Sequence, residues 1–125
     1  MKINVLAGKI EKHKTDAAVI LLFENEKPGK VAARVDKALG GLISRLIKKG
    51  DFKPKAGTIH LLYPEGRLPA VRLLLVGLGK RSEFTINRLR QAAGKAAPSL
   101  RGSGAQGITI VTDGTGLDAE ELGQA

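Results

Sequence analysis

Cysteine and tryptophan are absent from this 125-residue chain, and only four aromatic side chains occur, Phe23, Phe52, Tyr63 and Phe84. Without cysteine there are no disulfides, no thiolate metal ligands and no cysteine nucleophile. The absence also suits a reducing compartment. With so few rings, the core has to be built from Leu, Ile, Val and Ala. Long apolar runs are lacking too. The longest, Ala17 to Phe23, has seven residues, against the roughly 20 that span a bilayer. No apolar stretch after Met1-Lys2 could act as a secretory h-region. The expectation is a soluble, cytoplasmic protein with no membrane contact.

Acids are the scarcer charge: 12 Asp+Glu stand against 21 Lys+Arg, a net charge of +9. The imbalance is uneven. Residues 1–100 carry 20 bases and 8 acids, whereas residues 101–125 carry one base, Arg101, and four acids, Asp113, Asp118, Glu120 and Glu121. A basic body can attract nucleic acid or an anionic partner. Here the bases are dispersed and no aromatics are interleaved for base stacking. A solvated surface is the preferred reading, with at most weak, non-specific nucleic-acid binding. Apolar residues make up 42% of the chain, which excludes a disordered protein. The length fits one domain, residues 1–125, burying roughly two-thirds of its unfolded surface.

Periodicity divides the chain. Residues 2–7 read as a strand. Residues 17–23 are continuously apolar, as suits a strand buried on both faces. Glu24 to Gly29 is a polar loop. From Lys30 the period becomes helical, with Val31, Val35, Ala38-Leu39, Leu42, Leu46 and Ile47 in one stripe. Gly40-Gly41 interrupts it, predicting a break or two abutting helices, and Gly50 is a natural stop. Residues 58–63, 70–76 and 107–112 read as strands. Thr85 can cap a helix whose apolar face is Ile86, Leu89, Ala92-Ala93 and Ala96-Ala97, and Pro98 is expected to end or kink it. After a turn at Asp113 to Gly116, Leu117 to Leu122 looks like the start of a helix that the chain then abandons. The chain is expected to be a piece of something longer. Strands alternating with helices predict an α/β fold with helices on both faces of a largely parallel or mixed sheet.

Residue chemistry reveals no active site. Gly77-Leu78-Gly79 follows a buried strand, as a dinucleotide fingerprint does, but Ser82 stands where the third small residue belongs, and the helix starts later. A tight turn from strand to loop is the preferred reading. His13 lies in a basic run, Lys12-His13-Lys14, and His60 lies in a strand, 47 residues away. Neither has a partner at metal-ligand spacing. Glu24 and Glu26, and Glu120-Glu121, have no positioned acid–base partner. Ser44, Ser82, Ser99 and Ser103 lack a nucleophile-elbow context.

Four segments, in order, resemble the amino-terminal domain of the leucyl aminopeptidase (cytosol aminopeptidase) family. They are Asp16 to Glu24, Val35 to Gly41, Lys48 to Gly57, and Arg72 to Arg81 followed by Phe84 and the alanine-rich helix with Arg90. The resemblance implies a two-domain, hexameric exopeptidase that removes amino-terminal residues from peptides. It also implies two divalent ions, zinc or manganese, held with the catalytic Lys and Arg in a carboxy-terminal domain. None of those motifs occurs here, so no catalytic, cofactor-binding or metal-ligating residue is carried onto this chain. The implied role is to pack on that catalytic domain, shape access to its site and support assembly. The rival reading is a stand-alone module that binds nucleic acid or a nucleotide-like ligand.

The family's amino-terminal domain is in turn similar to the macro domain, a three-layer α/β/α sandwich with a mixed central sheet. Macro domains that bind ADP-ribose carry an Asp in a Gly-Asp-Ile-Thr-like motif, an Asn-rich strand end and a glycine-rich phosphate loop. Here the matching segments read Gly8-Lys9-Ile10-Glu11, Ile20 to Phe23, and Pro28-Gly29-Lys30-Val31. An apolar side chain cannot replace an amide that hydrogen-bonds a sugar, and each lost contact costs about 1–3 kcal/mol. ADP-ribose binding is not expected.

Overall fold

The computed structural model describes residues 2–6 and 10–112. Five strands, β1 (Lys2–Leu6), β2 (Thr15–Phe23), β3 (Ile59–Leu62), β4 (Ala70–Gly79) and β5 (Gly107–Val111), form one sheet in the order β1-β5-β2-β4-β3. All neighbours are parallel except β3, which runs antiparallel to β4 at the edge. The helices are α1 (Lys30–Ala38), α2 (Leu42–Lys49) and α3 (Ile86–Gly102), with short 3-10 turns at Ile10–Lys12 and Arg81–Glu83.

The continuous apolar runs become the sheet's centre because both of its faces are covered. Side chains alternate across a strand, so β2 and β4 serve two separate cores. Ala18, Ile20, Leu22, Leu73 and Leu75 pack beneath Val31, Val35 and Leu39 of α1 and Ile43 of α2. Ala17, Val19, Leu21, Phe23, Leu74, Val76 and Leu78 pack beneath Leu89, Ala92, Ala96 and Leu100 of α3. The result is the three-layer sandwich that the resemblance implied. In the α1–α2 stripe Ala38 is exposed and Ile43 is fully buried instead.

The glycine break behaves as expected, and the fold adds a cap that spacing did not suggest. Gly41 begins α2 in a left-handed conformation (φ 82°) and has no side chain to cap it. The buried Asp36 of α1 does so instead. One carboxylate oxygen accepts from Ile43 N–H at 2.8 Å and Ser44 N–H at 3.3 Å, and the other accepts from Ser44 Oγ. A carboxylate there satisfies orphan amides and favours the positive end of the helix dipole. Gly50 (φ 80°) closes α2 by donating to Ile47 O.

Two expectations are corrected. Pro98 does not end α3; the helix continues to Gly102. Proline removes one hydrogen bond and crowds the carbonyl four residues back. That residue is Gly94, which is exposed, as is Pro98 itself. The strain therefore falls on the solvent side, while Leu89, Ala96 and Leu100 hold the other side on the sheet. Second, the strand expected over 70–76 runs on to Gly79, so Gly77-Leu78-Gly79 is not a turn but the end of β4. The turn at Asp113 to Gly116 and the helix start at Leu117 to Leu122 lie outside the described residues.

Candidate functional site

In open α/β sheets the crevice outside the carboxyl ends of the strands is where ligands bind. Here that edge is formed by β2 and β4. Gly77 has to be glycine because a Cβ would lie 2.3 Å from Lys55 O and from Thr58 Oγ1. The 53–58 loop thus lies directly against the strand end, tied by Gly77 N–H to Thr58 O at 2.8 Å and Gly79 N–H to Pro54 O at 3.0 Å. Gly79 turns out of the sheet at φ 77°, and its carbonyl accepts from Glu24 N–H at 2.8 Å. Asn25 then takes a left-handed conformation (φ 57°), one asparagine tolerates.

These turns bring together four side chains distant in sequence. Arg81 donates to Glu26 in a bidentate pair, Nε to Oε2 and Nη2 to Oε1, both at 2.9 Å. Its guanidinium lies 4.1 Å over the Phe23 ring, and Phe84 meets that ring edge-on at 5.2 Å. The hydrogen bond to Glu26 raises the Arg81 pKa, partial burial opposes it, and the Glu26 charge adds to the rise. Arg81 is therefore a fixed cation. Beside this cluster an open cleft of about 320 Å³ is lined by Glu24, Asn25, Glu26, Phe52, Lys53 and Lys55.

The cluster is closed on itself. Its charges are paired with each other, and its rings pack on each other. Ser44 Oγ is engaged by Asp36, and Ser103 Oγ donates to Leu100 O at 2.6 Å. His60 packs edge-on to Phe52 at 6.2 Å, and His13 follows the first 3-10 turn. The fold does not bring the two histidines to a common carboxylate. Among the described residues no three His, Asp or Glu side chains converge to hold a metal ion. The residues described do not fit the metal pair that the resemblance implies for the catalytic domain. No described helix is long and apolar enough to cross a membrane.

Sequence reasoning names Arg81 and Phe84 only within the family resemblance and anticipates neither their meeting with Glu26 and Phe23 nor the Asp36 cap. Arg81 and Glu26 are 55 positions apart, and no local spacing announces that they meet. Gly77, which the sequence suggests as part of a tight turn from strand to loop, lies within β4 instead and serves close packing of the 53–58 loop on the strand.

The class of protein follows from the layers and the strand order. The chain overlays the macrodomain of Mycobacterium tuberculosis DarG with a TM-score of 0.73, at 14% identity, over 98% of this chain and 85% of that one. This is the macrodomain-like α/β/α sandwich. It overlays a tomato leucine aminopeptidase variant with a TM-score of 0.71, at 26% identity, over 97% of this chain but only 25% of that one. Residues 19–125 match the model of the cytosol aminopeptidase family, N-terminal domain, and the chain belongs to that family. A probable cytosol aminopeptidase from a Geobacter species is 49% identical over 103 residues, 82% of this chain and 21% of the relative. One from Alkaliphilus metalliredigens is 37% identical over 128 residues, 100% of this chain and 26% of the relative. The chain thus spans about a quarter or less of the length of these relatives.

Proposed function

We propose that residues 1–125 are a single non-catalytic, amino-terminal domain of a cytoplasmic metallo-aminopeptidase that releases amino-terminal residues from peptides. In this reading the chain packs on its own carboxy-terminal catalytic domain, narrows access to that site and supports a hexameric assembly. The two divalent ions, zinc or manganese, and every catalytic residue belong to the carboxy-terminal domain. The observation that carries the reading is the match of residues 19–125 to a family's N-terminal domain, in relatives several times longer. Activation of water by two metals needs several ligands converging on ions about 3.5–4 Å apart, and in this reading the carboxy-terminal domain supplies them.

The direct test is hydrolysis of leucine-p-nitroanilide with manganese or zinc present. The purified 125-residue chain is expected to show no turnover, and a polypeptide extended through the catalytic domain to show it. Turnover by the short chain that scales with its concentration, survives further purification and is abolished by chelation would overturn the reading.

A further inference from the structure

β3 is an edge strand, bonded only to β4. Its register shows which way its main chain points. In an antiparallel pair, opposed residues alternate between exchanging both hydrogen bonds and exchanging none. Ile59 opposes Val76, and the adjoining position is bonded, Gly77 N–H donating to Thr58 O at 2.8 Å. His60 and Leu62 therefore face β4 with their main-chain groups. Ile59 and Leu61 direct theirs away from the sheet, and among the described residues no strand pairs with them.

Soluble proteins guard such edges by keeping them very short, or with charged side chains, proline or bulges; β3, at four residues, has only the first of these guards. Ile59-His60-Leu61-Leu62-Tyr63 contains no Lys, Arg, Asp, Glu, Pro or Gly, in a chain with 21 bases. Ile59, His60, Leu61 and Leu62 are each half-buried. Tyr63 is 55% exposed, one of two large apolar side chains left open to solvent among the described residues. Ile59 and Leu61 pack toward the α3 side, and Leu62 packs toward the α1–α2 side. Tyr63 directly follows the last residue of β3, and in a pairing extended by one residue alternation would place it on the α3 side.

We propose that this edge joins two copies of the chain, β3 pairing antiparallel with β3 of the second copy about a two-fold axis at Leu61. Isologous contact requires a self-complementary patch, and the strand is one in this direction. Leu61 faces Leu61 of the second copy with both main-chain bonds exchanged. Ile59 faces Tyr63, an aromatic against a β-branched side chain, which is a favourable cross-strand pair. His60 faces Leu62, so no charge opposes a like charge within the strip. The two sheets become one, and Tyr63 gains a covering that the single copy does not give it. The inference stands independently of the aminopeptidase reading.

Sedimentation of the 125-residue chain over a concentration series tests it, with a monomer–dimer equilibrium as the expected result. Tyr63→Lys, at an exposed position, is expected to shift that equilibrium to monomer, with a melting temperature equal to the parent's at concentrations where the parent too is monomeric. Leu61→Cys introduces the chain's sole thiol at the axis, where opposed Cα atoms about 5.5 Å apart lie within disulfide range. It is expected to cross-link under mild oxidation far faster than Val71→Cys, whose parent side chain is also 55% exposed. A chain monomeric at every concentration overturns the proposal. So does a dimer that is indifferent to Tyr63→Lys and in which Leu61→Cys cross-links no faster than Val71→Cys, since that dimer would use another surface.

Discussion

A single methylene or a single Cβ decides much in this chain, because its core is aliphatic and closely layered. Leu74 of β4 is fully buried on the α3 side of the sheet. Leu74→Ala removes contact on every side and is expected to destabilise by about 2–5 kcal/mol, as large-to-small core changes do. Urea unfolding reads the change directly, and a loss below about 0.5 kcal/mol, typical of surface sites, would contradict the packing. Glycine offers the opposite pair of cases. At Gly77 a Cβ meets backbone at 2.3 Å, so Gly77→Ala has to displace the 53–58 loop. At Gly94 a Cβ meets nothing within 4 Å, so Gly94→Ala should stabilise α3 by roughly 0.5–1 kcal/mol. Opposite signs in one thermal melt series are the expected outcome; equal signs would refute the local geometry.

Elements here are held as much by their ends as by their faces. α2 is eight residues long, too short to persist alone, and its amino end depends on a carboxylate from the preceding helix. Asp36→Ala leaves the amides of Ile43 and Ser44 without that acceptor and is expected to cost about 1–3 kcal/mol. Hydrogen exchange should rise first in α2, and an unchanged exchange pattern there would show that the cap is dispensable. The loops after β2 and β4 are likewise closed on themselves through Arg81, Glu26, Phe23 and Phe84. Phe23, the last residue of β2, offers this crevice a ring and no hydrogen-bonding amide. Calorimetry with millimolar ADP-ribose is expected to be flat, and a stoichiometric micromolar isotherm would promote ligand binding at this crevice.

For the whole molecule, charge is distributed by layer. α1 and α2 expose Lys30, Arg34, Lys37, Arg45, Lys48 and Lys49, while the acid between them, Asp36, is buried in its cap. α3 adds Arg88, Arg90, Lys95 and Arg101 without an acid. Both outer layers are therefore basic, but no aromatic side chain lies within either helical layer and no recognition motif is presented to base edges. Binding to nucleic acid is expected to be weak, indifferent to sequence and lost with salt, through counterion release. A mobility-shift series should show affinity collapsing by about 0.2 M salt. Tight, sequence-selective binding that persists there would restore the nucleic-acid reading.

The order of strands and helices was legible in the sequence because its signals are local. Unbroken aliphatic runs mark β2 and β4, glycines with left-handed φ end α1 and α2, and Thr85 Oγ1 accepts from Arg88 N–H at the start of α3. The absence of cysteine and the shortage of rings determined an aliphatic core before any fold was known. Only the tertiary structure decided that β5 lies between β1 and β2, that β3 is left at the edge, and that α3 continues through Pro98. It alone set Asp36 at the start of α2 and Arg81 over Phe23. Those outcomes depend on which pairing buries the most apolar surface at once, a global balance that no window of neighbouring residues contains.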